Sequence, residues 1–233
     1  MKNTARLLYG IALTAAIYFA TLLLSRLIRN IDGLVINSYL TQALILSCLS
    51  VAAILSMKKH LSYRIALPKF KLILRPIIFT IITYVGFSLF LSLLANLIGV
   101  SRGEVHPAIK LNPVQFLLFV VIAASIAEEL LFRGFLLNLL APLKQRGIKI
   151  LNRKISLSVM ISALLFGLAH LSLASFGYSP YFLIRTVVFT CCIGLIAGYY
   201  QEKYNNNAYA ITVHMTSNLV GILPVIMLAM QKA

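Results

Sequence analysis

The chain has 233 residues, 61% of them hydrophobic, with 21 Lys+Arg against 5 Asp+Glu and a formal net charge of +16. A soluble domain is about 45–50% apolar and about 25% charged, so a chain with 11% charged residues and a mean hydropathy of +0.94 cannot cover a water-facing surface. Disorder, a coiled coil and a secreted disulfide scaffold are excluded on the same grounds, which leaves a single domain that lives in a bilayer.

A hydrocarbon core about 30 Å thick takes about 20 apolar residues per helix. Leu7–Ser25 is uncharged, with Arg6 before it and Arg26 and Arg29 after. It is too long for a signal-peptide core and has no clear cleavage site, so it is expected to be a retained span. Leu34–Met57 and Pro76–Ser101 are longer uncharged runs and make the second and third spans. Asn112–Leu140 is the fourth and carries charge in its interior, and Ile155–Ser172 is the fifth. Gly177–Pro180 breaks the chain, Tyr181–Gln201 is the sixth span and Ala208–Met230 the seventh. The runs do not alternate in polarity, which excludes a closed barrel. The expected fold is an all-α polytopic bundle of about seven spans, one transmembrane domain over residues 1–233.

The basic residues sit in short loops between apolar spans, without the interleaved aromatics of a nucleic-acid groove. Their distribution sets orientation instead. Lys58, Lys59, Arg64, Lys69, Lys71 and Arg75 fall in the second loop, and Lys144, Arg146, Lys149, Arg153 and Lys154 in the fourth. With Lys2, Arg6 and Lys203 they put fourteen positive residues on one face, against five on the other (Arg26, Arg29, Arg102, Lys110 and Lys232). The amino terminus and both basic loops are therefore expected to be cytoplasmic. The mixed Lys69–Arg75 stretch suits either a segment lying against anionic head groups or a plain topology signal. Cys48, Cys191 and Cys192 lie in apolar runs with no spaced pair, so they read as small hydrophobes.

Glu128 and Glu129 lie near the middle of the fourth span, with Arg133 a turn later. A charge at mid-membrane costs at least about 2.5–3.5 kcal/mol, so such groups usually face a cavity and serve a function. At about 100° per residue, Glu129 and Arg133 share one helix face while Glu128 is rotated away. An internal Glu129–Arg133 pair follows, with Glu128 left without a local partner and suited to work as a base. His170 follows Phe166 at i, i+4 on the fifth span, and Asn218 follows His214 at i, i+4 on the seventh. Three helices thus each deliver a polar pair into hydrocarbon, and packing them together keeps those groups from being stranded in lipid.

These pieces resemble one family. Glu128-Glu129-Leu130-Leu131-Phe132-Arg133 fits EExxxR, Phe166-Gly167-Leu168-Ala169-His170 fits FxxxH, and His214-Met215-Thr216-Ser217-Asn218 fits HxxxN. In this order they look like the CPBP family of intramembrane proteases, which includes CAAX prenyl endopeptidases and bacterial proteins linked to bacteriocin processing and self-immunity. The likeness covers roughly Asn112 to Gly221, leaving residues 1–111 as helices without a motif. It implies peptide-bond hydrolysis on a membrane-associated protein or peptide, prenylated or bacteriocin-type. Glu128 would be the base, His170 would hold the water, and His214 and Asn218 would face the oxyanion. Glu129, Arg133 and Phe166 would support them. A second scheme makes Glu128, His170 and His214 a His₂Glu metal set, with zinc the expected ion; the metal-free scheme is the one favoured. A proton-coupled transporter and a non-catalytic immunity or scaffold protein are the rival functions.

Counting about 1.5 Å per residue from the cytoplasmic ends puts Glu128 and His170 roughly 20 Å deep and His214 only about 10 Å. A kink or an early helix end must absorb the difference, and Gly167, Gly194, Gly198, Gly221 and Pro224 leave room for one. A cavity open to the cytoplasm is expected, in a bacterial plasma membrane, with Arg185 snorkelling at the outer end of the sixth span.

Overall fold

The computed structural model describes residues 3–29, 37–99, 104–150 and 152–230. Lys2, Arg102, Lys232, and the ends expected for the second and third spans at Leu34 and Ser101, lie outside the described residues. Seven helices are long and apolar enough to cross a membrane, and the fold is the nearly all-α bundle that the composition predicts.

α1 (Asn3–Arg29) and α2 (Ser38–Ser56) are antiparallel neighbours, α2 starting where Asn37 Oδ1 accepts from Tyr39 N at 2.9 Å. α3 runs Phe70–Leu97 with Pro76 inside it, so the Phe70–Arg75 stretch is the opening of this helix and not a separate surface strip. α4 spans Pro113–Leu137, opened by Asn112, whose Oδ1 accepts from Gln115 N at 2.9 Å, and by Pro113 at its first position. A uniform 100° per residue does not hold along it. Phe116–Ala124 and Leu130–Leu137 are π-helical, and only Ser125–Glu129 between them is regular α-helix. The basic loop after α4 is also not all loop: β1 (Gly147–Ile150) pairs antiparallel with β2 (Arg153–Ser156), Gly147 opposite Ser156.

α5 (Leu157–Ala169) is capped by Ser156 and continues as a 3₁₀ run to Phe176, where Gly177 at φ +79° stops it. α6 (Pro180–Tyr204) is capped by Ser179 and closed by Asn205 in a left-handed conformation. The last span is two helices, α7 (Asn207–Val220) and α8 (Ile222–Met230), meeting at Gly221. Pro224 cannot donate back to Val220, which favours the break there.

The main core joins α1, α2, α4 and α5 around Phe132, Phe135, Leu136 and Phe166. A second core joins α6 and α7 with Leu72 and Ile73 of α3. α5 and α6 form the most extensive helix pair. Their backbones approach closely because a Cβ on Gly167 would collide with Cys191 Sγ and lie 2.9 Å from Val187 O. In lipid such close packing, not water exclusion, holds helices together. α3 is peripheral, with 6% of its most apolar window buried and Ile82, Leu89, Phe90 and Leu93 facing outward.

The depth problem is solved at the start of α7. Asn207 N donates to Arg64 O at 2.9 Å, Asn206 exchanges two hydrogen bonds with Ala66, and Lys69 N donates to Tyr209 Oη. The Arg64–Lys69 loop therefore folds over a helix start that already sits deep. Asn207 is fully buried, and its Nδ2 donates to Glu129 O at 3.3 Å.

Candidate active site

The Ser125–Glu129 turn presents two adjacent carboxylates in different surroundings. Glu129 is fully buried, and its Oε1 accepts from Arg133 Nη1 at 2.8 Å. Arg133 is equally buried and lies 4.5 Å from the centroid of the Phe166 ring, which adds a cation–π contact. Glu128 receives no hydrogen bond at Oε2, although that atom is enclosed. A carboxylate so placed is an expensive feature for a merely structural acid to carry.

His214 of α7 closes the cluster. Its Nδ1 lies 3.0 Å from Glu129 Oε1, and its Nε2 lies 3.9 Å from Glu128 Oε2. Because Glu129 Oε1 already accepts from Arg133, Nδ1 faces it as a donor, and Nε2 is the nitrogen aimed at Glu128. His170, at the junction of α5 with its 3₁₀ extension, sits 2.9 Å through Nδ1 from Phe166 O. A carbonyl accepts only from N–H, so Nε2 of His170 is left with its lone pair free. The Phe166 ring stands edge-on to both imidazoles, 5.1 Å from His170 and 5.3 Å from His214. Asn218 reaches α4: its Nδ2 donates to Ser125 Oγ at 3.0 Å and Val120 O at 3.2 Å. Both amide hydrogens expected to face an oxyanion are therefore engaged in tying α7 to α4.

Sequence reasoning passed over the groups that hold this cluster from behind. Gln201 Nε2 donates to Arg133 O at 2.9 Å, as does Asn138 Nδ2 at 2.8 Å, and Ser162 Oγ donates to Phe132 O at 2.8 Å. From α1, Tyr18 Oη donates to Ala169 O at 3.1 Å, beside His170. Each is a polar residue inside an apolar run, a visible signal that lacked a visible partner.

A cavity of about 420 Å³ adjoins the cluster, within the range of small-ligand sites. Its walls include His170 and Asn218, with Tyr84 and Ser88 of α3, Thr186 of α6 and Pro224 of α8. It extends towards Val105 and His106 in the loop before α4 and towards Tyr181 at the start of α6. That is the end away from the basic loops, opposite to the end at which the opening was expected. Arg185 also departs from expectation: it lines the cavity, held inward by Nη2 donating to Glu104 O at 3.2 Å. His106, unremarked in the sequence, lines the cavity as a solvent-accessible residue, and its Nδ1 accepts from Ala108 N at 3.3 Å. Burial pushes its pKa down to about 4, with neighbouring His170 adding to the effect. It is therefore neutral near pH 7.

Among the described residues no three His, Cys, Asp or Glu side chains are grouped as ligands of one ion. The three cysteines are free thiols.

Fold and site together define a polytopic membrane protein with a carboxylate–imidazole centre between its helices. Residues 110–220 match the family described as type II CAAX prenyl endopeptidase Rce1-like, which supports the resemblance of this half of the chain to the CPBP (CAAX protease) family. The match takes in all three motifs. No curated protein and no solved structure matches the chain.

Proposed function

We propose that this protein is an intramembrane endopeptidase that hydrolyses a peptide bond of a membrane-associated substrate, prenylated or bacteriocin-type, using water activated by Glu128. What carries the reading is the contact chain from Arg133 through Glu129 to His214 and on to Glu128, at 2.8, 3.0 and 3.9 Å, with His170 in the wall of the adjoining cavity. Glu128 takes a proton from water as the oxygen adds to the scissile carbonyl. It then returns that proton to the leaving nitrogen as the C–N bond breaks. His170 Nε2 accepts a hydrogen bond from the same water and fixes its direction. His214, held through Nδ1 by Glu129, offers Nε2 as the hydrogen-bond donor to the oxyanion. Asn218 joins it by turning one amide hydrogen from Val120 O to the substrate. Glu129, Arg133 and Phe166 position these groups and do not touch the reacting atoms.

The single transmembrane domain contributes its catalytic side chains from residues 112–233. The short basic loops suit a bacterial plasma membrane, with the amino terminus cytoplasmic. The test is cleavage of a lipid-anchored peptide by the purified protein in vesicles. Glu128→Ala, His170→Ala and His214→Ala should each lower the rate by at least about 10²-fold, the usual worth of a positioned acid–base group, while the proteins still insert. A chelator should leave the wild-type rate unchanged. Full activity of Glu128→Ala overturns the mechanism, and a chelator-sensitive rate restored by zinc overturns its metal-free form.

A further inference from the structure

We infer that the β1–β2 hairpin and the adjoining ends of α3 and α6 form a binding site for an anionic phospholipid, its phosphodiester held by Arg153 and Lys203 and an acyl chain lying against Ile148 and Ile150. This does not depend on the peptidase reading.

The register of the hairpin divides it into two unlike faces. Ile148 stands opposite Ile155, Ile150 opposite Arg153, and Lys149 opposite Lys154. Opposed residues share a face and successive ones alternate, so Ile148, Ile150, Ile155 and Arg153 form one side, Lys149 and Lys154 the other. The Arg153 guanidinium fixes where the first side points. It lies 5.0 Å from the centroid of the Phe79 ring on α3 and 5.6 Å from that of Tyr199 on α6. Because α3 is the peripheral helix, the isoleucine side of the hairpin adjoins the lipid boundary, and Ile148 and Ile150 are about half exposed there. An apolar face backed by a basic one is the layout of an interfacial element, built here from strands.

The cations at this edge lack acids. Lys203 Nζ lies 5.8 Å from the same Tyr199 ring and 5.4 Å from Tyr204, so one ring carries two positive groups. Arg75, one turn before Phe79, shares that face of α3. The Tyr200 hydroxyl that bonds Arg153 is neutral. Among the described residues neither Arg153 nor Lys203 makes an ion pair. Glu202, next to Lys203 in the chain, accepts instead from Ser156 Oγ at 2.8 Å, and its charge acts on Lys144 and Lys154. Like charges gathered on one ring repel, and a phosphate beside them offsets that repulsion while accepting from both. Free phosphate would satisfy the cations and leave the isoleucines in water, whereas a lipid covers both, and tyrosines suit the level of its headgroup.

The chain contains no tryptophan, so Ile148→Trp places a single reporter on the isoleucine side. In vesicles of phosphatidylglycerol and phosphatidylcholine, brominated phosphatidylglycerol should quench it as a lipid bound at least about tenfold more tightly than brominated phosphatidylcholine, a scale that two basic residues at a lipid surface supply. In the same background, Arg153→Gln with Lys203→Gln should lower that preference at least about fivefold. Lys149→Gln with Lys154→Gln removes as much charge from the opposite side and should leave it in place. Arg153→Lys with Lys203→Arg should also keep it, which separates loss of the site from loss of the fold. Exchanging chloride for inorganic phosphate at constant ionic strength should not abolish it. Equal quenching by the two lipids would overturn the site and leave this face to an acidic protein segment. An equal loss in both glutamine pairs would reduce it to diffuse surface charge, and a preference abolished by phosphate would assign the cations to a free anion.

Discussion

At the scale of single residues, Arg133 is enclosed on every side while only its Nη1 makes a hydrogen bond, and one of the walls around it is a missing side chain. A Cβ on Gly194 would lie 2.8 Å from Arg133 Nη2 and 3.0 Å from Ala163 Cα, whereas a Cβ on Gly198, one turn on, would meet only Val159, at 3.0 Å. Both are overpacking substitutions, worth about 1–3 kcal/mol of stability each. Only Gly194→Ala also pushes the guanidinium against Glu129 and hence against His214. Gly194→Ala should therefore lose at least about tenfold in kcat, an approach-geometry penalty, at a stability loss similar to that of Gly198→Ala, which should keep its activity. Peptide cleavage set beside thermal unfolding in detergent checks this, and equal activity loss in both variants would remove Arg133 from its positioning role. The Glu129–Arg133 pair was legible in the sequence because it is local, one turn apart on one helix. The His214–Glu129 contact was not, because 85 residues separate its partners and no periodicity encodes which face of α7 meets α4. Gln201 and Asn207 illustrate the same gap: their polarity stands out in apolar runs, but their acceptors are backbone carbonyls, which every residue has.

At the scale of the element, those carbonyls are available because α4 is wound as a π-helix on both sides of the acidic turn. Wider winding shifts the ladder by one residue and leaves oxygens reachable from the side, and such stretches commonly sit at functional sites. Val120 O accepts from Ser125 and Asn218, Phe132 O from Ser162, and Arg133 O from Asn138 and Gln201. The sequence carries no signature of this winding: Phe116–Ala124 is apolar throughout, so no stripe records its pitch. Asn138 closes the second π stretch by donating to both Arg133 O and Gly134 O. Asn138→Leu should lower stability by about 1–3 kcal/mol, because it removes the donor from two buried acceptors, and Ser162→Ala by about 0.5–1.5 kcal/mol. Unfolding of the purified proteins in detergent should reproduce that order, and an Asn138→Leu protein as stable as wild type would show that the π ending needs no side-chain cap.

For the molecule as a whole, span number was legible because an 18-residue apolar window is a local property, and all seven expected spans have a counterpart. Which end the cavity faces was not, because depth had been counted along ideal helices from the membrane edge. The deep start of α7 under the Arg64–Lys69 loop, together with the π winding of α4, breaks that count. The consequence is an asymmetry: the basic loops close one face of the bundle, while the cavity extends towards the loops around His106 and Ser179 on the other. If the positive charges set the orientation, that second face is extracytoplasmic, and a substrate reaches the cavity from outside. The issue is decided in a protein whose three native cysteines are replaced by serine, carrying one new thiol either at Lys149, exposed on β1, or at Ser175, exposed in the 3₁₀ run after α5. An impermeant maleimide should label Ser175→Cys in intact cells and Lys149→Cys only after the membrane is opened. The reverse pattern would turn the cavity to the cytoplasm. It would leave the chemistry of Glu128, His170 and His214 as it is but oblige the substrate to arrive from the opposite side.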